Sequence, residues 1–125
     1  MKILKIAIIA LLTSAALVAC KKENVDSVQQ PFTIEGKWVG TTNGSGYFGM
    51  NIKSGGSLDR LNSSGSIVAS GNWELKGDSL LGNYQFLSSG TEVIFKALVN
   101  KSQNTFSGNW SNDGGEVGTM TASKK

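Results

Sequence analysis

Cys20 is the chain's one soft nucleophile, and no residue can act as an imidazole base, because the 125 residues include no His. That removes both the usual partner of an activated serine or cysteine and the commonest transition-metal ligand. A single Cys also excludes an internal disulfide and a cysteine zinc site. The carboxylates do not restore catalysis. Glu35, Glu74 and Glu92 fall on the polar phase of their segments, and Asp78 and Asp113 sit in turn sequences. Asp59 and Glu116 have no clear phase, so no pair of acids is expected to face one cavity as acid–base work requires. Asn112-Asp113-Gly114-Gly115-Glu116 carries oxygens suited to Ca²⁺ but lacks regular ligand spacing, and a hairpin turn explains it. The expectation is a protein that is not an enzyme and holds no metal or cofactor.

The surroundings of Cys20 indicate what its thiol is for. Lys2 and Lys5 begin the chain, Ile6 to Leu12 is apolar, and Thr13 to Ala19 is mostly small, the three parts of an export signal. Ile6 to Ala19 is too short to cross a bilayer as a helix, which takes ~20 residues. Leu17-Val18-Ala19-Cys20 resembles the lipobox of bacterial lipoproteins. The resemblance implies that the Cys20 thiol receives a diacylglyceryl group, that residues 1–19 are cleaved away, and that the new amine is acylated. At ~0.8 kcal/mol per buried CH₂, two or three such chains fix a protein to a membrane. Lys21, where an Asp would argue for inner-membrane retention, implies a lipid-anchored protein of the cell envelope, at the outer membrane. Lys21-Lys22-Glu23 loosely resembles a surface-export tag, and a plain solvated tether is an equal reading. Losing Lys2 and Lys5 takes the formal net charge from +3 to +1, with acids and bases interspersed, so no nucleic-acid partner is expected.

Residues 20–33, with Gln29-Gln30-Pro31, read as a lipidated flexible tether, and residues 34–125 as the folded domain. All 16 Gly lie between Gly36 and Gly118, and the periodicity is two rather than 3.6. Runs such as Phe48 to Lys53, Gly71 to Lys76, Leu80 to Phe86 and Phe106 to Ser111 alternate, with Gly- and Asn-rich turn signals between them. Eight strands are predicted near 34–42, 47–53, 56–61, 66–76, 79–87, 91–99, 105–111 and 116–123. Short strands in hairpin succession predict an all-β, eight-stranded antiparallel up-and-down barrel, with a β-sandwich as the alternative. The phase opposite the aromatics carries Lys37, Asn51, Asn72, Glu74, Gln85, Lys96 and Asn109, where a membrane barrel would need an apolar band.

Four segments repeat Gly, polar, aromatic: Gly36-Lys37-Trp38, Gly71-Asn72-Trp73, Gly82-Asn83-Tyr84 and Gly108-Asn109-Trp110. In a strand the Gly and the ring share a face, so rings pack beside missing side chains, filling the barrel or walling a cavity. Gly36-Lys37-Trp38 on a first strand resembles the calycin group of lipocalins, fatty-acid-binding proteins and avidins. The closing run from Phe106 to Lys124 looks like the end of small lipocalin-like bacterial lipoproteins. The resemblance implies a small apolar ligand inside the barrel, and Trp38 closing its bottom. It does not extend to a late Arg stacked on that Trp, since the only Arg is Arg60, nor to an avidin-type Asn, since Gly40 stands there. Candidate ligand-contacting residues are Trp38, Trp73, Tyr84, Phe86, Phe95 and Trp110. The alternative is a filled scaffold that binds a macromolecule, or itself, through an outward apolar patch of Leu81, Leu87, Ile94 and Leu98.

Overall fold

The computed structural model describes residues 31–125; the expected export signal, Cys20 and the expected tether as far as residue 30 lie outside the described residues. Alternating sequence and glycine-bearing turns give eight strands: β1 (Gly36–Thr42), β2 (Gly46–Ile52), β3 (Ser57–Leu61), β4 (Ile67–Lys76), β5 (Ser79–Phe86), β6 (Glu92–Asn100), β7 (Thr105–Asn112) and β8 (Val117–Lys124). Each strand pairs antiparallel with the next, and β8 closes onto β1 from Trp38↔Lys124 to Thr42↔Met120. That last ladder makes the fold a closed barrel rather than a sandwich, and closure leaves no sheet edge exposed.

The period of two sorts each strand between core and solvent. On β6, Val93, Phe95, Ala97 and Val99 are buried while Glu92, Ile94, Lys96 and Leu98 are exposed. Lys37, Asn72, Glu74, Lys76, Gln85 and Asn109 likewise face out. The glycine–aromatic repeat explains how the inside closes. Trp73 pairs with Gly82, Tyr84 with Gly71 and Trp110 with Gly118, so a ring lies opposite a glycine on the neighbouring strand. A Cβ at Gly118 would stand 2.5 Å from Trp110 Cε2, and one at Gly71 would overlap the Asn83 carbonyl. Both glycines permit approaches that any side chain would block.

Up-and-down order gives the barrel two unlike ends. Odd-numbered strands run toward the end bearing the loops after β1, β3, β5 and β7, here called the open end. The opposite end is sealed by the segment leading into β1. Trp38 Nε1 donates to the Ile34 carbonyl at 2.8 Å, and Ile34 is buried. Lys124 Nζ donates to Thr33 O at 2.7 Å and Thr33 Oγ1 at 3.0 Å, and Phe32 packs against the core. The compact unit therefore begins at Phe32. The expected tether, 20–33, loses its last two residues to the barrel because they meet Lys124 and the core.

Candidate functional site

The sealed half is filled. Trp38, Phe48, Met50, Ile52, Leu58 and Leu80 are at most 1% exposed. The Trp38 ring lies 4.9 Å from Phe106, which meets Phe48 edge-on at 6.1 Å. Tilted and edge contacts of this kind pack the rings directly against one another.

Toward the open end the packing changes. A cavity of about 170 Å³ lies among inward-facing side chains. Thr42 at the end of β1, Arg60 on β3, and Tyr84 and Phe86 on β5 form one side. Thr91 and Val93 beside the start of β6, with Trp110 and Asn112 at the end of β7, form the other. Depressions of about 970 and 710 Å³ also occur, lined mainly by strand residues of the outward phase, although Phe95 and Trp110 also border the larger one and Val99 and Phe106 the smaller.

Arg60 dominates the cup. It is 7% exposed, and it follows Leu58 in the inward phase of β3, beside a bulge in the β3–β4 register at Arg60/Leu61. Its Nε donates to the Gly49 carbonyl at 3.1 Å and its Nη1 to the Tyr84 hydroxyl at 2.7 Å. The guanidinium sits 4.3 Å from the Phe48 centroid and 5.0 Å from that of Tyr84. The neighbouring acid does not neutralise it: Asp59 faces out, paired with Lys53 Nζ at 2.9 Å and accepting from Ser70 Oγ at 3.0 Å. The ion pairs among the described residues are Lys53–Asp59, Lys76–Glu74 and Lys101–Asp78, none of which includes Arg60. Burying an ion costs several kcal/mol, and each cation–π contact returns about 0.5–2 kcal/mol. Arg60 is thus a buried cation held by rings and dipoles, with no counter-ion.

Tyr84 is 3% exposed, and burial pushes its phenol up from the ordinary tyrosine value while the Arg60 charge and hydrogen bond partly oppose the rise. The hydroxyl keeps its proton at neutral pH. Phe86 meets the Tyr84 ring edge-on at 5.6 Å. Trp110 differs from the other two tryptophans. Trp38 Nε1 donates to Ile34 O and Trp73 Nε1 to Lys53 O, each at 2.8 Å. The Trp110 Nε1 is buried and has no hydrogen-bond partner. Most buried indole N–H groups find an acceptor, so Trp110 departs from the common pattern although its ring lines the cavity.

The six aromatic residues expected at one ligand site are thus divided. Tyr84, Phe86 and Trp110 line the cup. Phe95 lies one inward step deeper, 2% exposed and 6.0 Å from Tyr84. Trp38 belongs to the sealed end, and so does Trp73 through its bond to Lys53. Arg60, Thr42 and Thr91 were not among the expected contacts. The phase of Leu58 would point Arg60 inward, but Leu61 supports the opposite phase, so β3 alone gives no clear signal for it.

On the outer face Leu81 pairs with Lys96, so Ile94 and Leu98 flank it two residues to either side on β6. Ile94 and Leu98 are 59% and 66% exposed, and Ile94 shares a groove with Val117 and Leu81. Leu87 stands apart, past the end of β5, its N–H bonded to Val68 O. In the loop after β7, Asn112 Oδ1 accepts from Gly114 N and Glu116 N, and Asn112 Nδ2 donates to Glu116 Oε1. These bonds account for that segment as a turn.

Compared with known proteins, the chain matches no family model, no curated relative and no solved structure.

Proposed function

We propose that this is a lipocalin-like envelope lipoprotein, anchored at the outer membrane by acyl chains on Cys20, whose barrel binds one small, largely apolar molecule in the open-end cup. The observation that carries the binding reading is the asymmetry of the interior: one end is closed by Phe32 to Ile34 over buried Trp38, and the other keeps a cavity of about 170 Å³ walled by Phe86, Val93 and Trp110. A cavity of about 150 Å³ in another protein accepts benzene, so the guest has the size of one ring or a short chain. The reading is of a binder rather than a catalyst, because the cup lining contains no carboxylate or imidazole to act as base. The anchoring reading rests on Leu17-Val18-Ala19-Cys20 and the export signal before it.

Iodobenzene, a single ring carrying a heavy-atom quencher, tests the cup. Saturable one-to-one loss of tryptophan emission is expected, and it should fall sharply in Trp110→Phe; quenching that rises linearly without saturation contradicts the reading. Labelling of Cys20 by a fatty-acid analogue in cells, lost in Cys20→Ala, tests the anchor.

The exposed row of Ile94 and Val117, with Leu98 four residues along β6, favours a second reading, a scaffold that docks a protein or a second copy through its outer face. Native mass spectrometry of the protein separates the two. A retained small molecule supports the cup, whereas an oligomer or co-purifying protein lost on Leu98→Lys supports the outer face.

A further inference from the structure

The chemistry of the cup narrows the guest further, on the basis of the ligand-binding reading above. Around Arg60 the side-chain groups that stay free are donors, while the Thr42 hydroxyl at the rim can donate or accept. Among the described residues Arg60 Nη2 makes no hydrogen bond, and the Tyr84 hydroxyl accepts from Arg60 and has no acceptor for its own proton. None of the seven carboxylates between residues 31 and 125 lines the cavity. At the rim, Glu116 is bonded to Asn112 Nδ2, while Asp113 Oδ2 accepts from Glu92 N. A set of donors around an unneutralised cation complements a group that is purely an acceptor and carries negative charge.

We propose that the cup recognises the carboxylate of a small organic acid, with Arg60 and Tyr84 holding the head, and Phe86, Val93 and the Trp110 ring enclosing the apolar body. An amine or ammonium head is disfavoured because Arg60 would repel it and no acidic side chain would receive it. An inorganic anion leaves the apolar walls unmatched. The carboxylate would supply the charge that Arg60 lacks within the fold, so the site is one whose electrostatics are complete only when it is occupied. Tyr84 contributes as a donor because its phenol stays protonated in the buried cup.

The test compares benzoate with its neutral isostere benzamide by calorimetric titration of the purified protein, alongside Arg60→Met, Arg60→Lys and Tyr84→Phe. Benzoate is expected to bind one-to-one and at least about tenfold more tightly than benzamide, a difference of 1.4 kcal/mol. Arg60→Met should bring the ratio of benzoate to benzamide affinity near one. Arg60→Lys should restore part of the ratio, and Tyr84→Phe should reduce it. Equal affinities for benzoate and benzamide in the unaltered protein would overturn the carboxylate assignment and leave the apolar cup standing. Absence of binding by both, together with unsaturable iodobenzene quenching, would overturn the cup itself. A preference for benzoate that survives in Arg60→Met would also overturn the assignment, by moving the recognition elsewhere.

Discussion

The two ends of this barrel use the same residue types for opposite purposes. At the sealed end Trp38 is fully buried, bonded through Nε1 to Ile34 and stacked near Phe106, with Phe32 to Ile34 laid across the opening. At the open end Trp110 is half-buried, its Nε1 lacks a partner, and the space beside it is empty of protein. Both rings arise from a Gly-polar-Trp segment. The difference lies in what the chain places over them: the lead-in segment caps one end, and nothing equivalent among the described residues caps the other. An indole becomes core or recognition surface according to whether its N–H and its exposed face are already answered.

The largest expected effect is at the sealed end. Trp38→Ala should lower stability by about 3–5 kcal/mol, as large-to-small changes in a filled core do, measured as the urea midpoint. A loss below about 1 kcal/mol would mean that this end is not the packed half. Trp110→Ala should be milder for stability, since the ring is half-buried, but should weaken single-ring ligands by about tenfold or more, 1.4 kcal/mol. If the two substitutions cost equal stability and neither touches binding, the contrast between the ends disappears.

Arg60→Met sharpens the comparison differently. Replacing Arg60 by an apolar side chain of similar length removes the cost of burying an unpaired ion, on the order of several kcal/mol, so the variant should unfold at the same or higher urea concentration. A loss above about 2 kcal/mol would show Arg60 to be a structural tie between Gly49 and Tyr84 rather than a group kept for recognition.

Alkaline pH should give a smaller effect. The Tyr84 phenol has a raised pKa in the fold, so its contribution to stability is fully present below the ordinary tyrosine value of 10.0 and is lost as pH rises through the folded value. The urea midpoint should fall above pH 10 by more in the unaltered protein than in Tyr84→Phe. The smallest expected change is Leu98→Lys, within about 0.5 kcal/mol as for an exposed site; sedimentation velocity then reports whether the outer face carries association.

Much of this architecture can be read in the sequence, and the parts that cannot have physical reasons. Each strand is legible to within one or two residues because alternation ends where Gly or Asn must take a positive φ, as Asn43, Gly44, Gly77 and Gly115 do. The facing of rings onto glycines follows from the same period. Which rings meet was not legible from motif alone, because it depends on strand direction. Trp38 stands early in β1 and Trp73 late in β4, so both lie at the sealed end, while Trp110 stands late in β7 and reaches the open one. Arg60 was hidden by β3 itself. Leu58 and Leu61 are apolar on opposite phases, and the bulge at Arg60/Leu61 breaks the register there. Phe32 and Thr33 read as tether because their partners, the core and Lys124, lie far along the chain.

The central claim is that ligand enters at the unsealed end and nowhere else in the interior. The direct measurement is the ¹H–¹⁵N spectrum of the three tryptophan indoles during titration with benzoate. The Trp110 Nε1–H signal should shift and saturate at one equivalent, because its ring lines the cup, while the Trp38 signal stays fixed. Movement of Trp38 with Trp110 unchanged, or no movement of either at saturating benzoate, would contradict the account.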